Sequence, residues 1–378
     1  MSVPAVGHSS AGEKPIRTAV VGLGWAARSI WLPRLARHPA FTVTAAVDPD
    51  ENSRAAVAEV EGAEGLPVLA AVHDIDPATV DLAVVAVPNH LHCTVARELL
   101  AKGIPVFLEK PVCLTSEEAE QLADAERSGG AVLLAGSAAR YRADVRALYQ
   151  IGARLGRIRH VELAWVRSRG VPDRGGWFTQ RALSGGGALV DLGWHLIDTA
   201  VPLLGTAEFR HAVGTLSSDF ITEHSSGAAW RGDDDGGETL AGGTDVEDTA
   251  RGFLITEDGR SVVLHASWAS HEALDTTRIT IDGSGGSATL CCTFGFSPNR
   301  LERSTLTRTV DGRTLPVAVH TEPVGAEYDR QLDSLPALLA DPAERGRAIA
   351  EARRAIGAIE RVYTSARAAR KPRQREYS

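Results

Sequence analysis

Apolar and polar positions follow two rhythms along this chain, and the change falls near Ser137. Before it, short apolar runs alternate with stretches of helical spacing. Thr18 to Val21, Phe41 to Val47, Val68 to Ala71, Asp81 to Val87, Pro105 to Leu108 and Ala131 to Ala135 predict strands. Ala26 to Arg37, Glu51 to Val60 and Thr94 to Lys102 predict helices between them, and Thr115-x-x-Glu118 is a capping box opening another to Arg127. Apolar strands separated by helices of roughly 10–15 residues predict a doubly wound parallel α/β sheet.

Beyond Ser137 the alternation becomes strand-like. A helix over Val145 to Arg154 leads to an alternating strand, Ile158 to Val166. Further strands are predicted near Phe209 to Ser217, Asp248 to Thr256, Ser261 to Ser270, Thr276 to Asp282, Ser287 to Thr293 and Ser304 to Val310. Tight links at Glu257-Asp258-Gly259 and Asp311-Gly312 join neighbours as hairpins. The chain closes on an amphipathic helix with Ile349, Ile356, Ile359, Val362, Tyr363 and Ala366 on one stripe. The expected organisation is a flexible tail (1–14), a doubly wound α/β domain (15–136) and an α+β domain with a mostly antiparallel sheet (137–378). Residues 222–245, Gly-rich and acidic with Asp233-Asp234-Asp235, read as a mobile loop.

Composition narrows the partners. A net charge of −8 gives nucleic acid or an anionic membrane no electrostatic support. No apolar run approaches the ~20 residues that span a bilayer. Met1 to Glu13 lacks the basic and apolar regions of a signal peptide. Cys93, Cys113, Cys291 and Cys292 are too few and scattered for a disulfide framework or zinc site, so a cytoplasmic location and no metal are expected. The Arg/Ala/Gly-heavy usage suggests a high-GC bacterium.

Gly22-Leu23-Gly24-Trp25-Ala26-Ala27 lies between the first strand and the first helix, in the G-x-G-x-x-A form of the dinucleotide fingerprint. Gly22 permits the tight turn, Gly24 lets the backbone approach a pyrophosphate, and Ala27 allows close helix–strand packing. Asp48 ends the second strand, where a carboxylate accepts from adenosine ribose hydroxyls and repels a 2′-phosphate; this favours NAD over NADP. Asp48 also suits a turn before Pro49. Pro88, Asn89 and His92 follow the fourth strand at the sheet's carboxyl edge and are cofactor candidates, although Asn89 equally suits a helix cap.

The chain has four lysines against thirty-six arginines, and Lys110 is retained at a strand end, in Glu109-Lys110-Pro111. A compact ammonium there can hold a substrate oxygen and stabilise charge developing on it. Downstream, Asp191 and His195 are spaced i, i+4 after the glycine run Gly185-Gly186-Gly187, which puts them on one helix face. A carboxylate beside an imidazole orients it, and histidine suits a general base. Metal ligation and a purely structural Asp–His pair are the rival readings. Arg140, Tyr141, Trp165, Trp177 and Trp194 are candidates to line a substrate pocket or to pack in the core.

These motifs resemble the Gfo/Idh/MocA oxidoreductases (glucose–fructose oxidoreductase, inositol dehydrogenase and relatives). The likeness covers nearly the whole chain beyond the tail. It rests on Gly22-x-Gly24-x-x-Ala27, Asp48, Pro88-Asn89-x-x-His92, Glu109-Lys110-Pro111 and Gly187-x-x-x-Asp191-x-Gly-x-His195-x-x-Asp198. It implies a Rossmann domain followed by an open-faced sheet through which homodimers or homotetramers form. It also implies a Lys110–Pro111 peptide that is often cis, with Lys110, Asp191 and His195 facing the nicotinamide and the reacting carbinol. A Trp-Arg pair found in some members is here Trp177-Phe178, so that arginine's contact has no counterpart at this position.

The expected activity is NAD(P)-dependent oxidation of a secondary alcohol on a sugar, aminosugar or cyclitol, with aminoglycoside or other specialised-metabolite biosynthesis as a setting. His195 takes the proton, Lys110 holds the oxygen, and Asp191 orients His195. The alternatives are an NADPH-dependent nucleotide-sugar ketoreductase and a non-catalytic dinucleotide-sensing regulator, which would be expected to discard Lys110 or His195.

Overall fold

The computed structural model describes residues 14–60, 62–63, 65–172, 176–221, 227–228 and 243–370. The expectations for the tail and for the acidic loop at 222–245 therefore fall largely outside the described residues.

Six strands, β1 (Ile16–Val21), β2 (Phe41–Val47), β3 (Val68–Leu69), β4 (Leu82–Val85), β5 (Val106–Leu108) and β6 (Leu133–Ala135), form a parallel sheet in the order β3-β2-β1-β4-β5-β6. The order reverses between β1 and β4, which opens a crevice at the carboxyl ends of these strands. The first helix runs as a π turn over Ala27–Trp31 into α1 (Leu32–Arg37). Then come α2 (Glu51–Ala56), α3 (His92–Ala101) and α4 (Ser116–Gly129). The Thr115 hydroxyl accepts from Glu118 N–H at 3.1 Å, the Glu118 carboxylate accepts from Leu114 N–H at 2.6 Å rather than from Thr115, and Gly130 ends α4 in the left-handed region.

The second sheet has eight strands: β7 (Ile158–Val166), β8 (Phe209–Ser217), β9 (Thr249–Thr256), β10 (Ser261–Ser267), β11 (Thr276–Gly283), β12 (Gly286–Cys292), β13 (Thr305–Val310) and β14 (Arg313–Val317). Their order is β14-β13-β12-β11-β7-β10-β9-β8, antiparallel except where β10 pairs with β7. Helices α5 (Ala143–Gly152), α6 (Arg181–Ser184) and α7 (Trp194–Leu204) precede or interrupt it; α8 (Ala326–Ala340) and α9 (Arg347–Arg370) follow. Alternate residues of the central strands, Val161 and Leu163, Val262 and Leu264, Ile279 and Ile281, share one buried core with Ile349, Ile356, Ile359 and Val362 of α9. The opposite face is open: cross-strand neighbours Val213 and Phe253 remain 67% and 46% exposed.

The sequence pattern sets no range for α6, β14 or α8. β14 is a mostly exposed edge strand interrupted by Pro316, so it carries no alternation. Helix α8 contains Pro336 and buries only a narrow stripe, yet Leu332 and Leu335 join Trp31, Leu35 and Phe107 in the core on the outer side of the parallel sheet. Tyr328 of α8 meets the Trp31 ring edge-on at 5.7 Å. None of the described helices is long and apolar enough to cross a membrane.

Candidate active site

The glycine turn after β1 is shaped by two different demands. Gly22 has φ +85°, and a Cβ there would lie 2.7 Å from the Val87 nitrogen, so no side chain fits. A Cβ on Gly24 would meet no heavy atom within 4 Å, leaving open space over the turn where a pyrophosphate can approach the first helix. Ala27 is fully buried, as close packing requires. Asp48 accepts from the Leu23 N–H at 2.8 Å through Oδ2 and from the Asp50 N–H at 2.9 Å through Oδ1. It therefore closes its own turn and ties down the glycine turn. A carboxylate has about four acceptor positions, so capacity remains for ribose hydroxyls. These groups fit a dinucleotide. Trp25 leaves the turn with its ring against Phe296, edge-on at 5.5 Å.

The segment after β4 braces the site. Asn89 donates from Nδ2 to the Ser184 carbonyl at 3.0 Å, tying this edge to the glycine run; it does not cap its helix turn by side chain. Buried His92 lies between the carbonyls of Pro111, 2.6 Å from Nδ1, and Val87, 2.9 Å from Nε2. Burial pushes His92 down to about 4, against the pull of both carbonyls. It thus packs the Pro88 and Pro111 turns together from beneath. The Lys110–Pro111 peptide is cis. Glu109 accepts from the Trp31 indole at 2.8 Å and from the Lys110 N–H at 3.0 Å, and burial raises its carboxyl.

At the centre, the Lys110 ammonium donates to Asp191 Oδ1 at 2.7 Å. The Trp268 indole donates to Asp191 Oδ2 at 2.9 Å. Burial opposes ionisation of Asp191, but Lys110, then Arg167, carry it well below the carboxylate range. Both Asp191 oxygens thus have donors, and among the described residues no hydrogen bond joins Asp191 to His195. This corrects the expected orienting bond. Asp191 is satisfied instead by Lys110 and Trp268, donors from distant parts of the chain that residue spacing does not reveal. His195 instead has its ring centroid 5.5 Å from that of Trp165. Burial, then the Lys110 charge, hold His195 well below its usual value despite Asp191, so at neutral pH the ring is uncharged and can accept a proton.

The glycine run is fixed from outside the motif. Glu247 Oε1 accepts from the N–H groups of Gly187 at 3.1 Å and Leu189 at 3.0 Å, and from the Tyr363 hydroxyl at 2.8 Å. A Cβ on Gly187 would lie 1.8 Å from the Glu247 carbonyl oxygen. Glu247 and Trp268 are the residues that sequence reasoning missed. Each is distant in the chain from what it holds, and no local spacing signals it.

Among the pocket candidates, Arg140 is a correction. Its guanidinium donates to the Asp198 carboxylate, at 2.6 Å and 3.1 Å, and to Glu351, so it joins the parallel-sheet exit to α7 and α9 and is not available to substrate. Tyr141 accepts from Ser334, and Trp194 is core. Trp165 flanks His195, with the Arg167 guanidinium 4.9 Å over its ring. Trp177 is half-buried against Phe178, ring centroids 4.1 Å apart. No cluster of three or more His, Cys, Asp or Glu able to hold a metal occurs among the described residues.

Residues 16–137 match the model of an oxidoreductase family with an NAD-binding Rossmann fold, and residues 143–289 match the GFO/IDH/MocA C-terminal domain. The chain is 57% identical over 355 residues to the proposed oxidoreductase subunit of a UDP-kanosamine synthase from Amycolatopsis mediterranei (strain S699), covering 94% of this chain and 97% of that one. It is 28% identical over 309 residues to D-glucoside 3-dehydrogenase of Escherichia coli (strain K12), covering 79% and 83%. Among solved structures it resembles GenD2 from gentamicin A biosynthesis in complex with NAD, with TM-score 0.72, 24% identity and 98% of each chain covered.

Proposed function

The chain belongs to the Gfo/Idh/MocA oxidoreductases, and on that premise we propose that it oxidises the 3-hydroxyl of a UDP-glucose-type nucleotide sugar, with NAD as the hydride acceptor. The observation that carries the chemistry is the Lys110 ammonium, anchored at 2.7 Å on Asp191 beside an uncharged His195. One ammonium hydrogen is committed to Asp191, and two remain for the carbinol oxygen. His195 takes the hydroxyl proton while Lys110 stabilises the negative charge growing on that oxygen. Asp191 keeps Lys110 in place. A bound dinucleotide would supply the hydride acceptor, with the Gly22–Gly24 turn holding its pyrophosphate and Asp48 its ribose.

The substrate class rests on the relatives' names. Kanosamine carries its amine at C3 of a glucose skeleton, and the second relative acts on the same carbon. Oxidation at C3 gives a ketone that an aminotransferase can convert to an amine, which keeps an amino-sugar pathway as the setting. A second copy of the chain covers the open sheet face in this reading. The test is absorbance at 340 nm with NAD or NADP against UDP-glucose, free glucose, glucosides and cyclitols, with hydroxylamine to trap the ketone. Nicotinamide reduction with UDP-glucose, faster with NAD, is expected. No reduction with any of these sugars overturns the reading.

A further inference from the structure

We propose that Trp268 is a positioning residue: its indole N–H fixes the rotation of the Asp191 carboxylate and thereby aims the Lys110 ammonium at the reacting oxygen. The inference rests on the sugar-oxidation reading for what Lys110 does, and on geometry for the rest.

Trp268 follows β10 and is fully buried. Its own backbone is pinned, since Trp268 N–H donates to the Asp248 carbonyl at 2.8 Å. The neighbouring Ser267 hydroxyl donates to the Ala269 carbonyl at 2.7 Å. The indole therefore projects from a fixed strand end, and its N–H reaches Asp191 Oδ2 at 2.9 Å. An indole N–H donates and never accepts, so this contact is formed only with a carboxylate oxygen presented to it. Asp191 sits on a π segment, and among the described residues neither of its oxygens is held by a side chain of its own helix. With Oδ2 held by Trp268, Oδ1 is turned toward Lys110.

Without that donor the carboxylate can rotate. It faces three basic groups, Lys110, Arg167 and His195. A freed oxygen can take a second ammonium hydrogen or turn to His195. Either arrangement draws Lys110 or His195 away from the substrate oxygen.

The experiment compares wild type with Trp268→Phe and with a protein carrying benzothienylalanine at 268, which replaces N–H by sulfur at nearly constant shape. Cofactor affinity, kcat, KM and the ¹³C titration of the Asp191 carboxyl, assigned by its loss in Asp191→Asn, are measured in each. A drop in kcat of about tenfold or more is expected, with cofactor affinity unchanged and the Asp191 titration moved up by roughly one pH unit. The isosteric analogue should reproduce both effects if the N–H is the cause. Wild-type kcat and an unmoved titration in both proteins overturn the proposal. If wild type oxidises no sugar, the functional reading fails while the titration still decides whether Trp268 governs Asp191.

Discussion

Lys110 and Asp191 meet at 2.7 Å although 81 residues separate them, one at the exit of β5 and the other on the π segment before α7. Their side chains are only 20% and 12% exposed. The pair joins the parallel sheet to the segment before α7, so in the proposed reading it carries both stability and chemistry.

Those two roles separate by mutation. Lys110→Met leaves a buried carboxylate without its cation and should cost roughly 1–3 kcal/mol, less than a fully desolvated pair because some water reaches it. Loss of the oxyanion contact should lower kcat by roughly 10²- to 10³-fold. The double variant Lys110→Met/Asp191→Leu should regain most of the stability and none of the activity. Urea denaturation beside steady-state kinetics checks both halves; a single variant with wild-type kcat removes Lys110 from the mechanism.

Stability should fall with pH through the weakly acidic range. His92 is held down to about 4 by burial, and His195 is also depressed. Between pH ~6.5 and about 4 the unfolded chain binds protons on these rings while the native protein does not, so unfolding gains. For His92 the loss is roughly 1.4 kcal/mol per pH unit over that window. The stabilising effect of ionised Asp191 is lost only at more acid pH, below the ordinary carboxylate range. Urea midpoints measured from neutrality downward should decline, and His92→Gln should flatten the decline. Buried carboxyls raised by burial, such as Glu109 and Glu247, oppose this trend. The decisive quantity is therefore the difference between the two proteins: equal slopes for wild type and His92→Gln between pH ~6.5 and about 4 contradict the buried neutral state.

Arg140 should behave as a structural residue. It bridges Asp198 and Glu351 from 58 and 211 residues away. Arg140→Leu leaves two buried carboxylates without their cation and should cost about 3–5 kcal/mol, seen as a lower thermal midpoint. In the fraction that remains folded, KM for the sugar should match wild type. A raised KM with an unchanged midpoint would return Arg140 to the substrate pocket.

What the sequence disclosed follows the range of each interaction. The glycine turn, the Asp48 turn, the Thr115 N-cap and the hairpin at Glu257-Asp258-Gly259 are encoded within a few residues, and each is formed; Glu118 closes the cap on the Leu114 N–H rather than that of Thr115. The α9 stripe was equally plain, because Ile349, Ile356 and Val362 repeat at helical spacing over a long run. The spacing of Asp191 and His195 was legible, but the bonds from Lys110 and Trp268 that take both Asp191 oxygens were not, because both donors lie far away in the chain. Arg140 looked like a substrate ligand because neither of its carboxylates is a sequence neighbour. Helix α8 was invisible because Pro336 interrupts it and its apolar stripe is narrow.

Asp48 has two duties that a pair of variants can separate. It holds the Leu23 N–H and, in the proposed complex, the adenosine ribose. Asp48→Asn keeps an acceptor for Leu23 but removes the charge that repels a 2′-phosphate, so the preference for NAD over NADP should shrink about tenfold with modest loss of NAD affinity. Asp48→Ser removes the reach to Leu23 as well and should weaken both nucleotides. Equal affinities for wild type and both variants, read from tryptophan fluorescence titrations, would exclude Asp48 from the cofactor site.

The open face of the second sheet offers the last test. Val213 and Phe253 are paired across β8 and β9, both exposed, beside a groove of about 440 Å³ that Arg251, Arg278 and Glu162 also line. An apolar pair rimmed by charges of both signs suits a two-fold contact with another copy of the same face. Phe253→Lys would place a cation against its symmetry mate across such an interface, and like charges there are strongly unfavourable. Light scattering should therefore show wild type as a dimer or tetramer and Phe253→Lys as a smaller species. The thermal midpoint should become dependent on protein concentration in wild type alone. A wild-type monomer at micromolar concentration, or an unchanged oligomer in the variant, rules this face out.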